Sequence, residues 1–186
     1  MTKEQNNSPE DFLAALAEPS PSPAAGSAAA YAAAMAAALV VKVCRITLAK
    51  NQASVALVDL SQAAAARQGD LTRLAEEDRT AVAAHFQLRK DKGGNAERLL
   101  AEMRPRFTLI PLEIGEKAAA VGELAAEARE LVWSGVRDDN VAAVLLAAAA
   151  ARAAAGLVRA NLRFLPEAPW KRDVAGRLAV LVDRLG

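Results

Sequence analysis

The chain has one cysteine, one histidine and seven aromatic residues (four Phe, two Trp, one Tyr) among 186 positions. A single thiol, Cys44, excludes a disulfide within the chain and fits a reducing, cytoplasmic setting. It lies in a long apolar run and reads as an inert, buried side chain. With one histidine, His85, and one cysteine, Cys44, a His/Cys metal cluster is not expected. An excess of charge is also lacking. Lys and Arg number 23 against 22 Asp and Glu, a formal net charge of +1, which points to neither a nucleic-acid partner nor a strongly acidic one. Residues Met1 to Asn7 are polar and carry no signal-peptide apolar core. They are expected to form a disordered tail ahead of one domain spanning residues 8–186.

Alanine is abundant where large side chains are scarce, filling 47 of the 186 positions. Alanine loses no side-chain entropy in a helix, and alanine faces let helices approach closely. No segment alternates with period two, and no repeat of 20–50 residues is visible. The expected fold is all-α, a single-domain helical bundle around long Ala-rich central helices. Ala28 to Leu48 is long enough to suggest a membrane span, but its first half is weakly hydrophobic alanine and Lys42 and Arg45 interrupt the rest. It reads as a core helix, with no membrane partner.

Punctuation along the chain places the helices. Ser8-Pro9-Glu10-Asp11 is a helix start, and Pro19, Pro21 and Pro23 then hold an extended loop. Gly26-Ser27 opens the longest apolar helix, to about residue 49. A second helix is expected from Asn51 to Arg67, interrupted at Gly69-Asp70, with Asp70 capping a third over about 71–90. Asn95 can cap the next segment, which Pro105 and Pro111 are expected to break into pieces near 96–104 and 107–133, ended by Ser134-Gly135. Asp138-Asp139-Asn140 can cap a helix through Leu162, and a short helix closes the chain from Trp170 to Leu185. Two helices apolar all round need more cover than six or seven helices of one chain supply, because burying an alanine methyl gains only about 1 kcal/mol. A homodimer paired through long helices is therefore expected.

Three stretches can carry chemistry. Pro21-Ser-Pro-Ala-Ala-Gly-Ser27-Ala-Ala-Ala leads small residues into a helix N-terminus, where outward amides favour a negative group. On local grounds alone it is a cap after a proline loop. Asp138-Asp139 opens the late helix. Capping is the plain reading, and a carboxylate kept ionised by the helix dipole suits a base. Glu76-Glu77-Asp78 reads as a solvated helix face, except that Asp78 borders a return to apolar pattern. His85 follows seven residues later on nearly the same face, without an assigned role.

At these points the sequence resembles the cyclodeaminase/cyclohydrolase family, the all-helical formiminotetrahydrofolate cyclodeaminase domains and bacterial methenyltetrahydrofolate cyclohydrolases. The proline loop corresponds to a Pro-x-Pro-Gly-Gly-Gly-Ser/Gly-x-Ala-Ala pattern, and Val43-Cys-Arg-Ile-Thr-Leu-Ala-Lys50 to the family's Asn-Leu-Thr-x-Gly-Lys helix end. Leu74-Ala-Glu-Glu-Asp78, Phe107-Thr-Leu-Ile-Pro-Leu112 and Asp138-Asp-Asn-Val-Ala-Ala143 resemble its acidic segment, its Ala-Thr-x-Val-Pro-Leu segment and its Ser-Asp-x-Gly-Val-Ala segment, and Asn161 the second asparagine of Asn-Val-x-x-Asn. Ala24, Ala25, Arg45, Asp138 and Leu157 stand where the family has Gly, Gly, Asn, Ser and Asn, and Val132-Trp-Ser-Gly135 replaces its Gly-Asn.

The resemblance implies a one-carbon folate enzyme that needs no metal or further cofactor. The substrate would be a tetrahydrofolate derivative: 5,10-methenyltetrahydrofolate hydrolysed to the 10-formyl form, or 5-formiminotetrahydrofolate deaminated with ring closure. It further implies Asp139 as the proton-transfer residue with Asp78 as second candidate, Gly26, Ser27 and Asp138 as substrate-binding residues, Lys50 at the glutamate tail and Asn161 orienting pterin or water. The proline loop and the late acids are expected to share one cleft. The alternative is a degenerate, noncatalytic helical dimer that binds folate or a protein, which the altered loop favours. The third reading is a helix bundle with no ligand.

Overall fold

A computed structural model describes residues 8–50, 54–91 and 93–186; the expected tail over 1–7 lies outside the described residues. Six α-helices and one 3-10 turn make up the described residues, with no strand among them. They are α1 (Pro9–Ala17), α2 (Ala25–Ala49), α3 (Val55–Lys90), α4 (Ala96–Ala128), the turn Ser134–Val136, α5 (Arg137–Phe164) and α6 (Trp170–Arg184). The all-α expectation holds.

Helix α2 is the centre of the bundle, walled by α3, α4 and α5. Ala29, Ala30, Ala33, Ala34, Ala36 and Ala37 are all buried on it, so small side chains on successive turns let the backbones close together. Both α2 and α5 are long and apolar enough to span a membrane by length and composition, yet half of the most apolar window of α2 is buried inside the bundle. Neither helix is covered all round. Met35 on α2 and Val141 and Leu145 on α5 remain exposed. At the N-terminus Ser8 caps α1 as expected, and Asp11 bonds back to complete a capping box, but α1 buries none of its residues and leans on α2 through Phe12 against Tyr31, ring centroids 4.8 Å apart.

Burial overrides several local stop signals. The helix expected to break at Gly69-Asp70 runs on, as α3 is one helix of 36 residues. A mid-helix glycine costs about 1 kcal/mol, and Leu60, Ala64, Leu71 and Leu74 are buried on either side of it. Asp70 does not cap; its carboxylate accepts a hydrogen bond from Lys117 Nζ of α4 at 2.6 Å. Asn51 lies outside the described residues, and Ser54 caps α3 by accepting from the Leu57 amide at 3.3 Å.

Helix α4 likewise passes through both Pro105 and Pro111 and ends at Ala128, before the expected stop at Ser134-Gly135. Each proline removes the amide that would bond the carbonyl four residues earlier. For Pro105 that carbonyl belongs to Ala101, an exposed residue. For Pro111 it belongs to Phe107, and the Asn161 side-chain amide lies 3.5 Å from it, a long contact from the correct side. Asn95 and Val136 precede α4 and α5 without any side-chain cap bond, so Asp138 and Asp139 occupy the first turn of α5 and do not cap it. Helix α2 begins at Ala25, which puts Gly26 and Ser27 inside its first turn.

Candidate functional site

The first turn of α2 has no side-chain cap of its own, because its N-cap residue is Ala24. The Asp78 carboxylate of α3 takes that place. Ser27 Oγ donates to Asp78 Oδ2 at 2.8 Å, with Ser27 fully buried and Asp78 6% exposed. Gly26 makes the approach possible. A Cβ there would stand 2.2 Å from Asp78 Oδ1 and 2.5 Å from Cγ, inside any tolerable contact. The proline loop is pinned alongside, since Ser22 Oγ donates to the Arg79 carbonyl at 2.7 Å. Burial pushes the Asp78 carboxyl above its ordinary value, and hydrogen bonds from the Ser27 side chain and backbone pull only part of the way back.

The same end of the bundle gathers further groups from α2, α3, α4 and α5. Tyr31 Oη donates to Glu76 Oε1 at 2.8 Å, and Arg106 Nε donates to Glu77 Oε1 at 2.6 Å. The arginine holds Glu77 below the usual carboxylate range. His85, two helical turns beyond Asp78 on the same face, stacks on Phe107 with centroids 4.7 Å apart and planes 19° apart. Its Nδ1 is buried without a hydrogen-bond partner. Burial first, then Arg89 and Arg104, lower the pKa of this imidazole. Asn161 reaches the Phe107 carbonyl and so belongs to this end.

The remaining candidates lie elsewhere. Lys42 Nζ donates to Asp139 Oδ2 at 2.7 Å, with side chains 53% and 38% exposed. Lys42 is fifteen residues beyond Ser27 on α2, about 22 Å along a helix rising 1.5 Å per residue. Asp138 is exposed beside Asp139. Lys50 Nζ sits 4.7 Å above the Trp133 ring, whose own amide donates to Thr47 Oγ1 at 3.0 Å. One chain therefore brings together Gly26, Ser27 and Asp78, with Asn161 at the same end, and sets Lys50, Asp138 and Asp139 at the other. The expected common cleft for the proline loop and the late acids does not exist within one chain, because antiparallel α2 and α5 carry the two motifs at opposite ends.

Asn140 was legible only as part of an acidic cap. It is 2% exposed, and its Nδ2 donates to the Ala125 carbonyl at 2.9 Å, tying the start of α5 to the end of α4. No group of three or more potential metal ligands occurs among the described residues. A groove of about 910 Å³ runs between α4 and α6, and none of the candidate residues lines it. Its wall is locked by Arg177 in two hydrogen bonds to Glu116 and by Arg184 on Glu123.

The formiminotransferase-cyclodeaminase family profile matches residues 8–179. The chain belongs to that family. Its fold is similar to that of formiminotetrahydrofolate cyclodeaminase from Thermotoga maritima, with a TM-score of 0.83 at 17% identity over 97% of this chain and 90% of that one. No curated protein sequence matches it. The matched span includes every candidate residue, and the Ser27–Asp78 pair lies near its start and middle.

Proposed function

We propose that this family member acts on a tetrahydrofolate one-carbon derivative, hydrolysing 5,10-methenyltetrahydrofolate to 10-formyltetrahydrofolate or releasing ammonia from 5-formiminotetrahydrofolate with ring closure. The observation that carries the reading is the buried Asp78 carboxyl, of raised pKa, held by Ser27 against the first turn of α2. Both reactions turn on proton transfer at an amidine-like carbon. In hydrolysis, water adds to the methenyl carbon of the cationic substrate and loses a proton; the hydroxyl so formed gives up its own proton as the carbon–N5 bond breaks and N5 gains one, leaving the 10-formyl product and one released proton. In deamination, N10 adds to the formimino carbon and the departing nitrogen leaves as ammonia after protonation. Burial favours the protonated form of this carboxyl, and a carboxyl so placed can give and retake a proton at one position.

Asp78 is the proton-transfer residue in this reading, in preference to the solvent-facing Asp139. Gly26 and Ser27 present backbone and hydroxyl to the substrate, and Asn161 and the His85–Phe107 stack flank the same end. Turnover of methenyltetrahydrofolate, followed by loss of its near-ultraviolet absorbance, and ammonia release from formiminotetrahydrofolate test the two reactions separately. Activity with one substrate that falls on Asp78→Asn supports the reading.

The noncatalytic alternative is favoured by one observation. Ala24 and Ala25 stand at the junction of the loop and α2, which starts without a side-chain cap, so Asp78 serves as a purely structural cap in that reading. Tight binding of either folate without turnover would establish it.

A further inference from the structure

The Ser27–Asp78 pair is closed off from solvent, with Ser27 fully buried and Asp78 nearly so. Any solute that exchanges a proton with that carboxyl must first reach it. Helices α2 and α3 are fixed there by core residues, Ala29, Ala30 and Ala33 just past Ser27 and Leu74, Ala75 and Val82 flanking Asp78. The chain ahead of α2 is held far less firmly. Helix α1 buries none of its residues and meets the bundle through little besides the Phe12–Tyr31 ring pair. In the proline loop that joins α1 to α2, residues 18–24, only Pro23 is buried.

Two latches hold this segment down, and they meet on one ion pair. Ser22 Oγ donates to the carbonyl of Arg79, the residue after Asp78, at 2.7 Å. Phe12 rests edge-on against Tyr31, whose Oη donates to Glu76 Oε1 at 2.8 Å. Arg79 Nε donates to the other oxygen of the same carboxylate at 2.8 Å. Tyr31 is one helical turn past Ser27, and Glu76 is two residues before Asp78. Both latches therefore sit beside the turns of α2 and α3 that carry the buried pair. A single hydrogen bond and a single ring contact are each weak enough to break in local fluctuations.

We propose that α1 and the proline loop form a gate over Asp78, and that Ser27 and Asp78 meet a solute only when residues 9–24 lift off Arg79 and Tyr31. Segments that cover a site are drawn from the least stable parts of a fold, and this segment has the fewest buried side chains of the N-terminal half. Closed, the gate keeps the carboxyl dry; open, it admits a solute to the hydroxyl and carboxyl together. That the solute is a folate rests on the reading above; the opening does not.

The test puts a thiol in place of the buried hydroxyl. The Ser27→Cys chain is treated with iodoacetamide, and alkylation at that position is compared by mass with alkylation of Cys44, which is fully buried seventeen residues further along α2. Position 27 is expected to react about tenfold faster than Cys44 or more, at a rate that dilute urea leaves unchanged, as local opening does. Adding Ser22→Ala or Phe12→Ala is expected to raise that rate about three- to tenfold, the usual effect of one lost hydrogen bond or ring contact, with Cys44 unaffected. Equal rates at the two positions, no acceleration by either latch variant, or acceleration shared equally by Cys44 overturns the gate. If Ser27→Cys does not fold, hydrogen exchange decides. Ser22→Ala alone is then expected to speed exchange of amides 26–28 about three- to tenfold and to leave amides 40–47 as in wild type; no difference at 26–28 overturns the gate. A wild-type chain that turns over neither folate sinks the functional reading, and the labelling still decides the gate.

Discussion

The two ends of α2 hold the same chemical group under opposite conditions. At the first turn, Asp78 is removed from water and held by a hydroxyl; near the other end, Asp139 faces solvent and is held by an ammonium. Environment sets the chemistry of a carboxylate, and of the two only Asp78 is buried among groups gathered from several helices. The contrast breaks first at Asp78. Asp78→Asn keeps the shape and removes the proton, so turnover is expected to fall by about 10²–10⁴ with folding intact, the usual share of a general acid–base group. An unchanged rate constant would leave Asp78 as a cap alone.

Next in size is the glycine that admits the carboxylate. Gly26→Ala brings a methyl to 2.2 Å from Asp78 Oδ1. Overpacking of that kind costs about 1–3 kcal/mol, larger than the helical preference of alanine over glycine at about 1. A lowered urea midpoint is expected, relieved in the double variant with Asp78→Ala. A stabilised Gly26→Ala chain would show that the first turn of α2 is looser than drawn.

The pH dependence of stability sharpens the same comparison. Asp78 has a folded pKa raised above its ordinary 3.8, so it favours the folded state in acid. That contribution fades as pH rises through the folded value. His85 has a folded pKa lowered from 6.5, so its contribution is present above 6.5 and is lost as pH falls through the folded value. Relative to wild type, Asp78→Asn is expected to gain stability as pH rises from about 4 toward neutrality, and His85→Phe as pH falls below about 6.5. Urea midpoints across that range check both slopes, and a flat difference for either variant removes its residue from the account.

How much of this the residues announce depends on whether the deciding interaction is local. The capping box at Ser8 and the alanine-lined α2 follow from neighbours in sequence. The unbroken α3 and α4 do not. Gly69, Pro105 and Pro111 are correct local stop signals outweighed by burial that only the assembled bundle supplies. The site divides the same way. Asp78 is conspicuous as an acid beside apolar residues, but its hydroxyl partner lies 51 positions away and Gly26 reveals its purpose only through the clash a Cβ would make. The separation of Ser27 from Asp139 depends on the antiparallel run of α2 and α5, for which no short pattern codes.

The smallest effect is expected at the exposed pair. Lys42→Ala removes an ion pair open to water, with side chains 53% and 38% exposed. Such pairs contribute only about 0.2–1 kcal/mol and weaken with salt. The urea midpoint is expected to fall slightly at low ionic strength and to match wild type in molar sodium chloride. A loss that persists in high salt would show that the Lys42–Asp139 end is shielded from water, and the contrast between the two ends of α2 would then narrow.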